Sequence, residues 1–365
     1  MLCAATLRDE RGVAAWERIR ATFDPDTLSP PAYALLPRLA ANLERIAPEF
    51  PGLARLRGYR RHTWTANQVA RRALAGVATE LDRAGISTLA FSAAAGGVVP
   101  GAEPALRRVH VPSLLVPPAD WSEARNALAR AGHEIGPPDP PGPVPIAWSC
   151  TLRDGDGIAV IVARAPSAPL SRTFPSGSTT ALWSESATVE IAGRCQPCVG
   201  PHAALVIECV DAVAGAPAGR LSALAEVHSI ASSPDLAWDR VVEYVREQHG
   251  ALLVRDALDL AGALLALEIP ASAARDLDAL HLGVRDRVAS TIHELPTFTV
   301  PLLGGSLDTV ARAFAATAPL PAREALEVGF DFVRARWDID AWRAAPRQIA
   351  RKARAAARGR TRDHG

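Results

Sequence analysis

The spacing of apolar residues along this chain changes twice, and each change limits what the chain can fold into. From Gly12 to Ala84 apolar residues recur at helical intervals, as in Leu74, Val77 and Leu81, with breaks at Pro30-Pro31 and between Pro48 and Pro51. From Ile86 to about Gly200 short apolar runs alternate with turn residues, and beyond His202 the helical spacing returns. Strands bracketed by two helical regions read as an α/β (α+β) fold with helices flanking a sheet. The expected organisation is a helical region over 1–85, an α/β core over 86–200, a helical domain over 201–346 and a basic tail over 347–365.

Local signals place the elements. Gly85 is positioned to stop the last N-terminal helix. Strands are predicted at Ile86 to Phe91, at Ser113 to Val116, which Pro117-Pro118 ends, and at Thr188 to Ile191. A helix is predicted over Asp120 to Ala131 with Asp120 as its cap, and Pro137 to Pro145 reads as a proline-rich loop. Asp154-Gly155-Asp156-Gly157 between two strands predicts a hairpin, because Asp-Gly accepts positive φ. Helices follow at Ala203 to Ala212, Leu221 to Ile230, Ala237 to Gln248 and Leu252 to Leu267.

Charge and cysteine content narrow the function classes. A formal net charge of +1 gives no global footprint of a nucleic-acid binder. The charge is uneven: from Arg334 onward nine Arg and one Lys face three Asp, leaving a net of −6 elsewhere. The tail from Arg347 to Arg362 could meet RNA, an acidic partner or an anionic membrane surface, or simply be a solvated terminus; aromatics near it are confined to Trp337 and Trp342. Ala251 to Pro270 carries Arg255, Asp256, Asp259 and Glu268, too many charges for a membrane span. Five cysteines and no basic-then-apolar start argue against a disulfide framework and a secretory signal, so a cytoplasmic location is expected. Lys352 is the only lysine.

Several segments, in chain order, resemble the uncharacterised nucleotidyltransferase family of bacteria. They are Leu35-Leu36-Pro37-Arg38-Leu39-Ala40-Ala41-Asn42-Leu43, a helix with Trp64 and Asn67, and Leu81-Asp82-Arg83-Ala84-Gly85-Ile86. Leu114-Leu115-Val116-Pro117, Ala127-Leu128-Ala129-Arg130-Ala131-Gly132, Leu182-Trp183-Ser184-Glu185-Ser186-Ala187 and Trp238-Asp239-Arg240 continue the layout, from about residue 30 to 270. The resemblance implies a small mixed-sheet nucleotidyltransferase-like core. It also implies an active-site pattern that this chain departs from. Where the family has Lys-Gly after its first strand, Ser92 and Ala93 stand here. Where it has Arg, three residues, then Asp-x-Asp-Leu-Leu-Val, Arg107 and Leu114-Leu115-Val116 match, but Val111 and Ser113 replace the acids. The later acid and histidine positions hold Ile161 and Ala163.

Transfer of a nucleotidyl group meets a phosphorus ringed by negative oxygens, and carboxylate-held Mg²⁺ neutralises that charge. Val111 and Ile161 offer no ligand and Ser113 one neutral hydroxyl. The expected function is therefore a family member that has lost metal-dependent catalysis and binds a nucleotide, a peptide or a partner protein, with no cofactor. A phosphate cradle would fall at Ser92, where the small residues read more readily as close strand–helix packing, and Arg107 and Arg108 are either phosphate contacts or an ordinary solvated pair. One alternative is an active transferase whose Mg²⁺ ligands have moved to Asp154 and Asp156, residues that also read as the hairpin turn. Another is a structural assembly partner using the basic tail. Cys195 and Cys198 with His202 and Cys209 could ligate zinc, although the spacing fits no common zinc module. Glu226 falls at an acidic family position and reads equally as a salt bridge or cap; His228 reads as surface or core.

Overall fold

Helical spacing before residue 84 becomes five helices: α1 (Leu2–Thr6), α2 (Glu10–Ile19), α3 (Pro30–Tyr33), α4 (Leu36–Ile46) and α5 (Leu53–Arg83). A computed structural model describes residues 1–91, 103–109, 111–135, 149–154, 156–166, 180–215, 217–248 and 250–280. These all fall in the unit made of Met1–Gly136 and Ser149–Asp286; Pro137–Trp148 and Arg287–Gly365 form a second unit outside the described residues. Prolines at 30 and 31 do not merely interrupt helices. They occupy the first positions of α3, where a missing N–H costs nothing. Asp9 caps α2 by accepting from the Arg11 and Gly12 amides at 3.0 and 3.4 Å. Trp16, fully buried, receives Phe23 and Phe50 edge-on at 5.3 and 4.8 Å, and Leu36, Leu39, Leu43 and Leu56 complete this core.

Helix α5 spans 31 residues and buries Leu74, Val77, Ala78 and Leu81 on the face it turns to the sheet. It ends in a Schellman motif. Ile86 N–H reaches the Leu81 carbonyl at 3.0 Å, Gly85 N–H reaches Asp82 at 2.9 Å, and Gly85 takes φ +75°. Helix α6 (Trp121–Arg130) ends the same way: His133 reaches Leu128 at 3.1 Å and Gly132, at φ +93°, reaches Ala129 at 3.0 Å. The family-like wording Leu-x-x-Ala-Gly, present at both places, is thus a helix stop. Asp120 occupies the position before α6 but makes no side-chain capping bond, contrary to expectation. It belongs to a 3₁₀ turn over Pro118–Asp120, so its backbone is not extended as a side-chain cap requires.

Six described strands form one mixed sheet: β1 (Leu89–Phe91), β2 (Ser113–Leu115), β3 (Ser149–Arg153), β4 (Ala159–Ala163), β5 (Ala187–Ile191) and β6 (Arg194–Cys198). Their order is β3-β4-β2-β1-β6-β5, with β2 parallel to β4, β1 parallel to β6 and the other neighbours antiparallel. β1 is shorter than the expected Ile86–Phe91. Its first residues are spent leaving the helix stop at Gly85. A two-residue turn at Ala192 and Gly193, both at positive φ, joins β5 to β6.

A short helix α7 (Thr180–Ser184) precedes β5, and after the sheet come α8 (Pro201–Ala214), α9 (Arg220–Ala231), α10 (Trp238–Gln248), α11 (Ala251–Leu265) and α12 (Ala271–Ala279). The run Ala203 to Val210 in α8 is buried on every side, because α9, α10 and α11 all pack on it. Among the described residues no helix is long and apolar enough to cross a membrane.

Candidate functional site

The positions where the family pattern expects acids lie at one end of the sheet. Ser113 opens β2 opposite Phe91, the last residue of β1, and opposite Ile161 of β4. Ile161 in turn faces Thr151 of β3. Directly opposed residues share a face, and neighbouring strands lie about 4.8 Å apart, so these four side chains form one row. Burial falls along it: Phe91 and Ser113 are buried, Ile161 is half-buried and Thr151 is exposed. The Ser113 hydroxyl donates to the Val111 carbonyl at 3.2 Å. Ser92, which follows Phe91, lies outside the described residues. β6 reaches this end too, since Val199 N–H meets the Ala90 carbonyl at 3.0 Å just before Gly200 and Pro201 lead into α8.

Acids at 113 and 161 would project side by side from adjacent parallel strands, the arrangement a shared cation needs. A serine already bonded to its own strand and an isoleucine do not fit Mg²⁺, a hard cation that takes charged oxygen ligands. Asp154 and Asp156 sit in the expected hairpin turn. Asp154 Oδ1 accepts from the Asp156 and Ile158 amides at 3.0 and 2.7 Å, and Gly157 takes φ +78°. Asp156 is exposed. Among the described residues no group of three or more His, Cys, Asp or Glu is gathered so as to hold a metal ion. Cys195 and Cys198 are three apart on β6 and so point to opposite faces, Cys195 exposed and Cys198 buried. Burial pushes the Cys198 thiol up to about 11 and raises Cys209 further, the opposite of a ligating thiolate.

In the loop ahead of β2, Arg107 turns inward. Its Nη1 donates to Glu208 Oε2 on α8 at 2.6 Å, with the two side chains 10% and 7% exposed. Burial, with Asp211 and Glu226 nearby, pushes Glu208 up to about 7 against the pull of Arg107. The loop carrying Arg107 is fixed by Asn67 of α5, which is wholly buried. Asn67 Nδ2 donates to the Pro104 and Arg107 carbonyls at 2.5 and 2.7 Å, and its Oδ1 accepts from Val109 N–H at 2.8 Å. In the sequence Asn67 stands out only as part of a family-like segment, and Glu208 belongs to no motif. The signal for Glu208 was present, since a lone carboxylate inside the apolar run Ala203 to Val210 must find a partner.

Other family-like segments meet each other in space. Arg38 of α4 pairs with Glu226 of α9, so the acid at this position serves as a salt bridge. Glu185, after α7, pairs with Arg240 of α10 and accepts from His202 Nδ1 at 3.3 Å, while His202 Nε2 accepts from Ala237 N–H at 3.3 Å. Burial lowers His202, and lowers His228 with the help of Arg11 and Arg38, which keeps both neutral more readily than in water. Asn42 Nδ2 donates to the Ala4 and Leu7 carbonyls, both at 2.7 Å, fastening the end of α1 to α4.

No curated protein and no solved structure matches the chain. The family description that does match is that of an uncharacterised nucleotidyltransferase, over residues 31–266. That stretch runs from α3 to the last turn of α11 and contains the sheet, the row at its end and the Arg107–Glu208 pair. By this match over most of its length, the chain belongs to the uncharacterised nucleotidyltransferase family.

Proposed function

We propose that this protein uses the nucleotidyltransferase scaffold to bind a nucleotide, a peptide or a partner protein, without metal-dependent transfer at the sheet end. The observation that carries this reading is Ser113 standing opposite Ile161, where side-by-side carboxylates would be needed. Two further placements support it. Asp154 is engaged by the amides of its own turn, so the displaced-ligand alternative draws no strength from it. Arg107 is buried and turned toward Glu208, which leaves little of it open to a phosphate. A nucleotide bound at this end would rely on Ser92 and on backbone amides.

Calorimetric titration of the full chain with ATP, GTP, CTP and UTP, with and without Mg²⁺, tests the proposal. Binding that is indifferent to Mg²⁺, with no product formed on incubation, is the expected result for a nucleotide-binding member. Binding that requires Mg²⁺ and weakens in Asp154→Asn would overturn the reading and favour the displaced-carboxylate alternative.

A further inference from the structure

Between the N-terminal helices and the loop ahead of β2 lies a pocket of about 160 Å³. A cavity of about 150 Å³ holds one benzene ring, so this space suits a single ring. Its walls include Pro30, Tyr33, Leu36 and Tyr59, with His62 and Arg108 adding polar groups. Tyr33 and Tyr59 meet edge to face at 5.5 Å and 84°. Arg55 packs against Tyr59, its guanidinium carbon 6.0 Å from the ring centroid, and itself pairs with Asp26 at 2.5 Å. Tyr33 keeps 42% of its surface exposed, an aromatic left beside an open concave site.

The charge of the lining is one-sided. Among the described residues no Asp or Glu lines the pocket. Nearby arginines are taken: Arg57 and Arg60 pair with Glu44, and Arg60 also with Glu103. Arg108 is exposed and, among the described residues, is paired with no carboxylate. Its backbone is nonetheless fixed, because Asn67 binds the residue on either side of it, the Arg107 carbonyl and the Val109 amide. A cation on a pinned backbone at the edge of an aromatic pocket is arranged for an anion carrying a ring.

We propose that this pocket binds a small ligand joining one planar ring to one anionic group, the ring against Tyr33 and Tyr59 and the anion on Arg108. None of its lining residues belongs to the row at the sheet end, so the inference does not rest on the loss of transfer chemistry there. Pyrimidine nucleoside monophosphates and N-acylated aromatic amino acids both present this chemistry.

The test is calorimetric titration of the full chain with UMP, CMP and N-acetyltyrosine, and with AMP, uridine and inorganic phosphate as controls, all without metal. The expected result is saturable binding of at least one single-ring anion, with uridine, phosphate and the two-ring AMP each at least about tenfold weaker. Arg108→Ala and Tyr33→Ala are each expected to weaken it at least about tenfold, and Arg108→Lys less than Arg108→Ala. Both positions are exposed, and far-UV circular dichroism of the variants checks that the fold is kept. Which ligand type binds identifies its source. Failure of every single-ring anion to bind, or binding unchanged in Arg108→Ala and Tyr33→Ala, overturns the proposal. Nucleotide binding that survives both substitutions belongs instead to the sheet end, so the two readings fail separately.

Discussion

Arg107 donates to Glu208 across 2.6 Å, joining the loop ahead of β2 to α8, whose run from Ala203 to Val210 is wholly buried. Removing one partner of a buried ion pair leaves the other charge desolvated. Glu208→Leu, which strands the permanently charged Arg107 in a buried site, is therefore expected to lower stability by about 3–5 kcal/mol, whereas Glu208→Leu with Arg107→Met recovers most of the loss. Urea unfolding of the two single variants and the double variant measures this. A double variant no more stable than Glu208→Leu would show that the pair is not the source of the loss.

The same pair predicts a pH dependence. Glu208 titrates from an ordinary value of 4.5 to about 7 in the folded protein, because burial and the neighbouring Asp211 and Glu226 outweigh Arg107. A carboxyl raised on folding contributes stability that is fully present below pH 4.5 and lost as pH rises through about 7. His202 and His228, both lowered, act with the opposite sign. Melting temperature followed against pH in wild type and Glu208→Gln isolates the Glu208 share. The wild-type curve should fall relative to the variant across that window, and parallel curves would refute the assignment.

Asn67 satisfies three backbone groups with one side chain, two carbonyls and one amide. Asn67→Ala leaves them without that partner and is expected to cost about 2–4 kcal/mol in thermal or urea unfolding. Asn67→Asp should be nearly as damaging, because a carboxylate cannot donate to the Pro104 and Arg107 carbonyls. Near-native stability of the aspartate variant would show that the Val109 amide alone fixes the loop.

Gly200 and Arg240 both contact Glu185, with very different expected consequences. A Cβ at Gly200 would meet the Glu185 carbonyl oxygen at 2.3 Å, so the backbone must shift. Gly200→Ala is expected to lose about 1–3 kcal/mol through that clash. Arg240→Ala removes an ion pair whose arginine is 47% exposed, and a loss below about 1 kcal/mol is expected. Chemical unfolding of both variants under the same conditions compares them; the reverse ranking would mean that the charge, not the close backbone approach, fixes this corner.

Features governed by a few adjacent residues were legible in the sequence. Gly85 stops α5 where expected, because only a residue tolerant of positive φ closes a Schellman motif at no steric cost. The Asp154 to Gly157 turn and the helices beyond residue 201 follow from equally local chemistry. Asp120 shows the limit of such reasoning. Its residue type suits a cap, but the preceding prolines set a 3₁₀ turn that takes its side chain out of range.

The sequence by itself determined the succession of helix, strand and helix, the helix stops, the hairpin and the absence of carboxylates at 111, 113 and 161. Tertiary structure decided everything that joins distant residues. It set the strand order that places Ser113 beside Ile161, and it brought Arg107 to Glu208, 101 positions away, and Arg38 to Glu226, 188 positions away. It also assembled a pocket from α3, α5 and the Arg108 loop. The physical reason is range. Backbone conformation answers to neighbours within a turn or two, whereas the partner of a buried charge is fixed only when packing has excluded water from both.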